Sequence, residues 1–323
     1  MTLARRNVLR LAAGVVALPF VPRVAFAQAY PSRPVRMIVG FAAGSAPDII
    51  ARLFGQWLSD QLGQSVVIDN RPGAASNIAT EALVRSAPDG YTLQMTVLTN
   101  VFNTTLYKNL NFAFVEDVTH VAGVANAPFV VIVPPTLSTK TLPEFIAYAK
   151  ANPGKINFAS GGVGSASHIF GELFKTTAGI EMQHVPYRGV YINELISGQI
   201  HVVINPIPQS LELIRTGKIR ALAVTTLKRL ASLPDIPTVS EFVPSYEALG
   251  WYALGMPKNT PAEIVNKINA STNKALADPK LVERLAALGV EPMPMSPAEF
   301  SKFVVSERDK WTKVIRGAGV TLE

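Results

Sequence analysis

The chain has 323 residues, no cysteine, and 30 lysines and arginines against 23 aspartates and glutamates. Its length is enough for two domains, and a chain without disulfides must be held together by a buried apolar core. The first 27 residues contain four of the arginines and no acid, so the rest carries 26 basic and 23 acidic residues, a net charge of +3. Such a small excess gives no reason to propose nucleic acid as a partner.

The N-terminal segment, residues 1–27, has the pattern of a secretory signal peptide. Arg5 and Arg6 make a basic start, residues 11–21 form an apolar run too short to span a bilayer, and Ala25-Phe26-Ala27 matches a cleavage site. We expect the mature chain to start near Gln28, after export by either the general or the twin-arginine route. An exported chain without cysteine fits a bacterial periplasm.

Strands and helices are predicted to alternate along the mature chain, with Gly, Pro, Ser or Asn at the helix ends. Strands are predicted at 35–39, 65–69, 92–96, 129–133, 156–159, 182–185, 200–204, 220–225 and 251–256. Helices are predicted at 48–62, 77–86, 142–151, 165–179, 192–197, 209–216, 261–277, 279–288 and 297–317.

This order predicts βαβ units, a mostly parallel sheet and two α/β lobes. The first lobe is expected to comprise residues 28–128 and 250–323, and the second residues 129–249, so that the chain crosses between them twice. Ligands of open α/β sheets bind beyond the carboxyl ends of the strands, and in a two-lobed chain these ends can face one cleft.

Three predicted loops share one design, in which a strand leads through small residues into a helix. They are loop 40–48, loop 70–77 and the glycine loop, residues 160–168. The first N–H groups of a helix lack intrahelical partners and the helix dipole adds positive charge, so an anion is the natural occupant. Small residues can also serve only to make tight turns. The convergence of three such loops on one cleft favours the anion site.

No complete nucleotide-binding or hydrolase motif is present. Gly162-x-Gly164-x-x-Ser167 resembles a dinucleotide fingerprint, but serine replaces the third glycine and no acid ends the next strand. Ser271-x-x-Lys274 matches a hydrolase motif, but it lies in a predicted helix whose apolar positions explain it, without the companion motifs.

The titratable residues also fail to form a catalytic or metal site. The four histidines lack metal-type spacing. His168 can donate to a ligand but is better explained as a structural residue, and Asp48 suits a helix cap better than a general base. We therefore predict no enzyme, no cofactor and no metal. A hydrolase or transferase on the same two-lobed architecture is the alternative.

Short motifs follow one another in a recognisable order through nearly the whole mature chain. They include Asn70-Arg71-Pro72-Gly73-Ala74, Ala87-Pro88-Asp89-Gly90-Tyr91-Thr92-Leu93, Val185-Pro186-Tyr187-Arg188-Gly189 and Leu233-Pro234-Asp235-Ile236-Pro237-Thr238-Val239. In this order they resemble the Bug-type receptors, the periplasmic solute-binding components of tripartite tricarboxylate transporters.

The resemblance implies an α/β type II periplasmic-binding-protein fold, in which two lobes joined by two crossing segments close over a ligand cleft. It implies a small organic carboxylate as ligand, held by backbone N–H groups, hydroxyls and ordered water. The membrane subunits of such a transporter would be its partners, and the receptor would be a monomer. A sensor that presents its ligand to a membrane kinase is an alternative role.

Some positions depart from the family pattern in ways that bear on the ligand. Asn205 stands where the family often has an aspartate, which could hold a ligand ammonium group. We therefore expect a plain organic acid without a cationic group. Val163, Val190 and Tyr191 make the cleft more apolar and favour an aromatic or longer aliphatic acid.

The predicted ligand-binding residues come from the three loops and from strand ends of both lobes. They are Phe41, Ser45, Ala46, Asp48, Ala75, Ser76, Asn77, Thr99, Gly162, Val163, Gly164, Ser165, Ser167, His168, Tyr187, Arg188 and Asn205.

Overall fold

The computed structural model describes residues 30–187, 191–244, 246–317 and 319–320. The predicted signal peptide, residues 1–27, and the predicted ligand-binding residue Arg188 lie outside these described residues. From Pro31 onward the chain forms one compact unit. None of the described helices combines the length and apolar character needed to cross a bilayer.

The described residues form nine strands and eleven α-helices that alternate through most of the chain. The strands are β1 Val35–Val39, β2 Val66–Asn70, β3 Thr92–Val97, β4 Val118–Val133, β5 Asn157–Ser160, β6 Gln183–Pro186, β7 Val202–Pro206, β8 Arg220–Val224 and β9 Leu249–Pro257. The helices are α1 Ala46–Leu62, α2 Asn77–Val84, α3 Leu98–Leu106, α4 Phe114–Asp117, α5 Leu142–Ala151, α6 Ala166–Ala178, α7 Ile192–Ile196, α8 Ile207–Arg215, α9 Ala262–Leu276, α10 Pro279–Ala287 and α11 Pro297–Gly317.

The strands fall into two groups that share β4. In the first group, β1 pairs in parallel with β2 and β3, and β9 lies antiparallel between β3 and β4. In the second, β5 pairs in parallel with β6 and β7, while β7 and β8 run antiparallel to β4. The expectation of a mostly parallel sheet is therefore wrong. The sheet is mixed because β4 and β9 run against their neighbours.

Strand β4 connects the two groups and is much longer than predicted. Residues 118–128 pair with β9, and Phe129 to Val133 pair with β7 and β8. Only the second part was visible as an apolar run, because the first part mixes small and polar residues and ends at Pro128. Its pairing comes from tertiary structure rather than from local propensity.

Two further differences concern helices beside the strand ends. Helix α3, Leu98–Leu106, was not predicted because its sequence is rich in Thr and Asn, which favour turns. Asn100 stabilises its start, since its side-chain oxygen accepts a hydrogen bond from the N–H of Val97 at 2.8 Å. Helix α1 starts at Ala46, so Ser45 is its N-cap and Asp48 lies in its first turn.

An aromatic cluster brings helices of both strand groups together. Trp311 of α11 has its ring centroid 5.0 Å from that of Phe102 on α3 and 5.3 Å from that of Phe170 on α6. All three side chains are buried. Burying an aromatic side chain of this size stabilises by about 2–3 kcal/mol, and edge-to-face pairing adds to this. The cluster therefore fixes α6, and with it the glycine loop, against the first strand group.

Candidate ligand-binding site

A cavity of about 750 Å³ lies at the carboxyl ends of β1, β2, β3 and β5. Its volume is typical of a pocket for a small organic ligand. Ten of the predicted ligand-binding residues line it: Phe41, Ser45, Ala75, Ser76, Thr99, Gly162, Val163, Ser165, Ser167 and Tyr187. Thus loop 40–48, loop 70–77 and the glycine loop converge on one cavity, as the sequence predicts.

Six predicted ligand-binding residues lie behind the cavity wall instead of lining it. They are Ala46, Asp48, Asn77, Gly164, His168 and Asn205. All six are buried. Side-chain atoms of Asp48, Asn77, His168 and Asn205 accept hydrogen bonds that support the wall. Sequence composition places a residue in a loop but does not tell which side of the loop its side chain takes.

Asp48 holds loop 40–48 in place. Its carboxylate accepts hydrogen bonds from the N–H of Gly44 at 2.9 Å, from Nε of Arg52 at 3.0 Å and from Nδ2 of Asn70 at 2.9 Å. Burial raises the pKa of this carboxyl, but the bonds from Arg52, Gly44 and Asn70 outweigh burial and keep the pKa below its ordinary value. Asp48 is therefore an ionised structural residue that joins the first two loops.

The cavity wall is neutral and includes seven aromatic residues. None of the described lining residues is Asp, Glu, Lys, Arg or His. Its aromatic members are Phe41, Tyr107, Phe129, Tyr187, Tyr191, Trp251 and Tyr252. The described residues also contain no group of His, Cys, Asp and Glu that could hold a metal ion. Apolar surface with a few polar donors suits an organic ligand better than a metal ion or a highly charged one.

Five of these aromatic residues were not among the predicted ligand-binding residues, namely Tyr107, Phe129, Tyr191, Trp251 and Tyr252. Trp251 and Tyr252 belong to a predicted strand, and Phe129 begins one. Their place at the ends of strands that lead to the cleft was the available signal. Gln209 also lines the cavity, at the start of α8.

Loop 70–77 turns through backbone angles that residues other than glycine seldom adopt. Ala74, Ala75 and Ser76 have φ values of 45°, 50° and 76° in succession. Each such residue costs of order 1 kcal/mol or more, and the conformation persists only where its surroundings enforce it. The Ser76 hydroxyl accepts hydrogen bonds from Asn100 at 3.2 Å and from Gln94 at 3.4 Å, so buried amides hold the turn from behind.

The glycine loop also contains residues with positive φ, but here they are glycines. Gly162 has φ 119° and Gly164 has φ 82°, which only glycine adopts easily. Ser165 ends the loop as the N-cap of α6 and accepts a hydrogen bond from the N–H of His168 at 3.4 Å. The N–H of Gly164 donates to Nδ1 of His168 at 3.1 Å.

Two stacked histidines support the glycine loop from behind. The ring centroids of His168 and His184 are 3.8 Å apart, and Nε2 of His184 lies 2.6 Å from the Ser160 hydroxyl. Burial, repulsion from His184 and the charge of Lys175 lower the pKa of His168 to about 3, and burial and Lys175 lower that of His184 to about 4. Both rings are neutral at physiological pH, which suits His168 as an acceptor.

Two hydrogen bonds connect the strand groups across the cavity. The N–H of Ala166, the first residue of α6, donates to the Thr99 hydroxyl at 3.2 Å. Nε2 of Gln209 donates to the carbonyl of Gly44 at 3.3 Å. The two sides of the cavity are therefore in direct contact.

Comparison with known proteins gives this fold and cavity a family. Residues 50–320 match the model described as the tripartite tricarboxylate transporter family receptor, TctC. The chain belongs to this receptor family. BugT from Bordetella pertussis (strain Tohama I) is 35% identical over 302 residues, which are 92% of this chain and 93% of BugT.

Solved structures of such receptors superpose on nearly the whole chain. R. palustris Rpa4515 with adipate gives a TM-score of 0.87 at 35% identity, covering 90% of this chain and 99% of Rpa4515. MatC (Rpa3494) from Rhodopseudomonas palustris with bound malate gives a TM-score of 0.84 at 29% identity, covering 88% of this chain and 100% of MatC. These matches confirm the predicted α/β periplasmic-binding-protein fold of a Bug-type receptor. The TctC family is one of transport receptors and not of enzymes.

Proposed function

We propose that this TctC-family receptor captures a small organic carboxylate, aromatic or aliphatic and with one or two carboxyl groups, for uptake by a tripartite tricarboxylate-type transporter. The observation that carries the proposal is the neutral cavity wall, where two helices begin. Ser45 and Ser165 are the N-caps of α1 and α6, and both line the cavity. Helix N-termini and hydroxyls bind carboxylates without a charged partner.

The hydroxyl of Ser45 supports the proposal independently. It is buried at the cavity wall, caps no backbone N–H and has no hydrogen-bond partner among the described residues. A buried hydroxyl without a partner costs free energy, which a ligand oxygen would recover. The adipate of Rpa4515 and the malate of MatC are ligands of the chemistry proposed here.

The aromatic side chains define the ligand further. Phe41, Tyr107, Phe129 and Tyr187 provide apolar surface for a ring or a longer aliphatic chain. No described residue at the wall carries a carboxylate to pair with an ammonium group. Asn205, which the resemblance compares with an aspartate, is a neutral residue behind the wall. We therefore expect unmodified amino acids to bind poorly.

Ligand capture is proposed to close two lobes, residues 28–128 with 250–323 and residues 129–249. The exchange of partners along β4 between Pro128 and Phe129, and the start of β9 at Leu249, support these boundaries. A ligand that contacts loop 40–48 on one side and the glycine loop on the other binds the closed state more tightly and shifts the population toward it.

The proposal includes export and partners. Residues 1–27 would direct the chain to the periplasm and be removed, and the mature monomer would deliver its ligand to the transporter's membrane subunits. Edman sequencing of protein from a periplasmic extract tests the cleavage near Gln28, and light scattering tests the monomer. Full-length protein retained in the cytoplasm contradicts the export.

The experiment that tests the function is a thermal-shift screen of organic acids, followed by titration calorimetry and mass spectrometry of the recovered ligand. A raised melting temperature with chemically unchanged ligand supports a receptor, whereas turnover of the acid supports an enzyme. Tight binding of an unmodified amino acid contradicts the expected ligand class.

The glycine loop can be tested separately with the double variant Ser165→Ala, Ser167→Ala. We expect affinity for the preferred acid to fall by about tenfold to a hundredfold, because each hydroxyl contributes about 1 kcal/mol. The matched control is Ser306→Ala on α11, away from the cavity lining. Unchanged affinity in the double variant removes these hydroxyls from the site.

A further inference from the structure

A chain of hydrogen bonds leads from the protein interior to the cavity wall. The Ser210 hydroxyl donates to the Pro206 carbonyl at 3.2 Å, and Nδ2 of Asn205 donates to the Ser210 oxygen at 2.7 Å. The Tyr191 hydroxyl donates to Oδ1 of Asn205 at 2.8 Å. Asn205 and Ser210 are fully buried behind the wall, whereas Tyr191 lines it.

The Pro206 carbonyl fixes the donor-to-acceptor direction of these hydrogen bonds. A carbonyl can only accept, so the Ser210 proton points to Pro206 and the Ser210 oxygen receives the amide N–H of Asn205. The amide oxygen of Asn205 is then left to accept from Tyr191. The single hydroxyl proton of Tyr191 is therefore committed away from the cavity, and its oxygen has only acceptor capacity left.

The neighbouring wall residue has the opposite capacity. The Ser167 hydroxyl lies 3.5 Å from the Tyr191 hydroxyl, a long and weak contact, and Ser167 lines the cavity as well. Because the Tyr191 proton is committed, Ser167 must be the donor in this contact. A ligand acceptor can take over that weakly held proton at little cost. The corner formed by Tyr191 and Ser167 therefore offers one acceptor and one donor side by side.

We propose that this corner selects carboxylates with an uncharged hydrogen-bond donor on the carbon next to the carboxyl group, either a hydroxyl or an acylated amine. The donor would bond to the Tyr191 oxygen, and a carboxylate oxygen would accept from Ser167. This inference rests on the proposed function, since it assumes a carboxylate ligand. Tyr191 is thus a specificity-determining residue, and Asn205 and Ser210 position it.

Two alternative ligand groups fit the corner less well. An ammonium group needs a negative partner, and the hydrogen-bonded groups that lead from the Pro206 carbonyl to the Tyr191 hydroxyl are all neutral. A ligand with a bare methylene at this point leaves the Tyr191 oxygen without a donor in a buried site. A site built for a hydrogen bond rejects the analogue that lacks it, because the protein group is left unpaired.

The test uses titration calorimetry on the mature protein with acids of one skeleton: phenylacetate, mandelate, N-acetylphenylglycine and phenylglycine. Adipate and 2-hydroxyadipate form the aliphatic pair. We expect mandelate or N-acetylphenylglycine to bind about tenfold tighter than phenylacetate, or 2-hydroxyadipate about tenfold tighter than adipate. The two phenyl derivatives distinguish a hydroxyl donor from an amide donor, and phenylglycine is expected to bind weakest of the phenyl series.

The variant Tyr191→Phe removes the acceptor and keeps the ring. Its preference for the hydroxy acid over the unsubstituted acid should disappear, so that the ratio of the two affinities falls from about tenfold to about one. Tyr148→Phe on α5 is the matched control away from the cavity lining and should keep the wild-type preference.

Each outcome decides between the two proposals. If none of the acids binds, the proposed carboxylate function fails and the selectivity fails with it. If the acids bind but wild type does not prefer the substituted member of either pair, only the selectivity is overturned. The wild-type comparison needs no variant, so it decides the matter even if Tyr191→Phe does not fold.

Discussion

Loop 70–77 and the glycine loop face the same cavity and achieve their sharp turns by different means. The glycine loop uses Gly162 and Gly164 at positive φ, where a side chain would be strained. Loop 70–77 places Ala74, Ala75 and Ser76 in the left-handed region. The glycine loop avoids backbone strain through its composition, whereas loop 70–77 is held in a strained conformation by its surroundings.

The supports of the two loops differ as well. Loop 70–77 rests on the neutral groups of Asn100, Gln94 and Thr80, whereas the glycine loop rests on two imidazoles. The comparison shows that a cavity without charged described residues can still have one side whose support depends on pH. A substitution in either loop, or in its support, can therefore be compared with the other loop.

The largest effect is expected from Asn100→Ala, which removes the support of loop 70–77. Asn100 is buried, accepts from the N–H of Val97 and donates to Ser76 at 3.2 Å and Thr80 at 3.0 Å. Its loss leaves a buried N–H and two hydroxyls short of partners, so we expect the free energy of unfolding to fall by about 3 kcal/mol. Urea denaturation measures this change.

The exposed Asn109 provides the control for this experiment, and Asn109→Ala should change stability by no more than about 0.5 kcal/mol. If Asn100→Ala lowers the free energy of unfolding no more than Asn109→Ala does, loop 70–77 keeps its conformation without the Asn100 amide. The conclusion that buried amides support this loop would then be wrong.

A smaller and pH-dependent effect is expected at the glycine loop. In the folded protein the pKa of His168 is about 3 and that of His184 about 4, both below the ordinary histidine value. The unfolded chain therefore binds protons that the folded protein does not bind. The contribution of the two histidines to the free energy of unfolding is complete above about pH 6.5. It is lost as the pH falls toward the folded-state pKa values, by about 1 kcal/mol per pH unit for each histidine.

The variant His168→Asn tests this linkage, because an amide oxygen can still accept from the N–H of Gly164. We expect the slope of unfolding free energy between pH 6 and 4.5 to decrease by about 1 kcal/mol per pH unit. Asn100→Ala should keep the wild-type slope, since loop 70–77 rests on groups that do not titrate there. An unchanged slope in His168→Asn would mean that His168 is protonated in the folded protein.

The difference between the loops also explains how far the sequence could be read. Strand–loop–helix order, the three converging loops and the family are encoded in local patterns, and composition locates the glycine loop directly. The left-handed turn at Ala74 is not encoded locally, because alanine normally favours helix. It depends on Asn100 and Gln94, which are distant in the chain and belong to elements whose contacts only the fold defines.

The same reason accounts for the predicted ligand-binding residues that the structure places behind the wall. Asp48, His168 and Asn205 have side chains that could serve a ligand or the protein equally well. Their hydrogen bonds to Gly44, Gly164 and Tyr191 decide the matter, and those partners are set by tertiary packing. Tyr252 was not predicted at the cavity, because an aromatic residue in a predicted strand is most often part of the core. Tyr191 was expected in the cleft, but only as apolar surface.

The smallest effect, and the one with opposite signs in the two loops, is expected from exchanging alanine and glycine. Ala75→Gly relieves about 1–2 kcal/mol of left-handed strain and costs about 0.5–1 kcal/mol through the entropy of the unfolded chain, so stability should rise by up to about 1.5 kcal/mol. Gly162→Ala, at φ 119°, should lower it by about 1–2 kcal/mol. Ala147→Gly, exposed in the middle of α5, gives the entropy cost alone, about 1 kcal/mol. If Ala75→Gly costs as much as Ala147→Gly, the turn in loop 70–77 stores no strain, and the two loops differ only in what supports them.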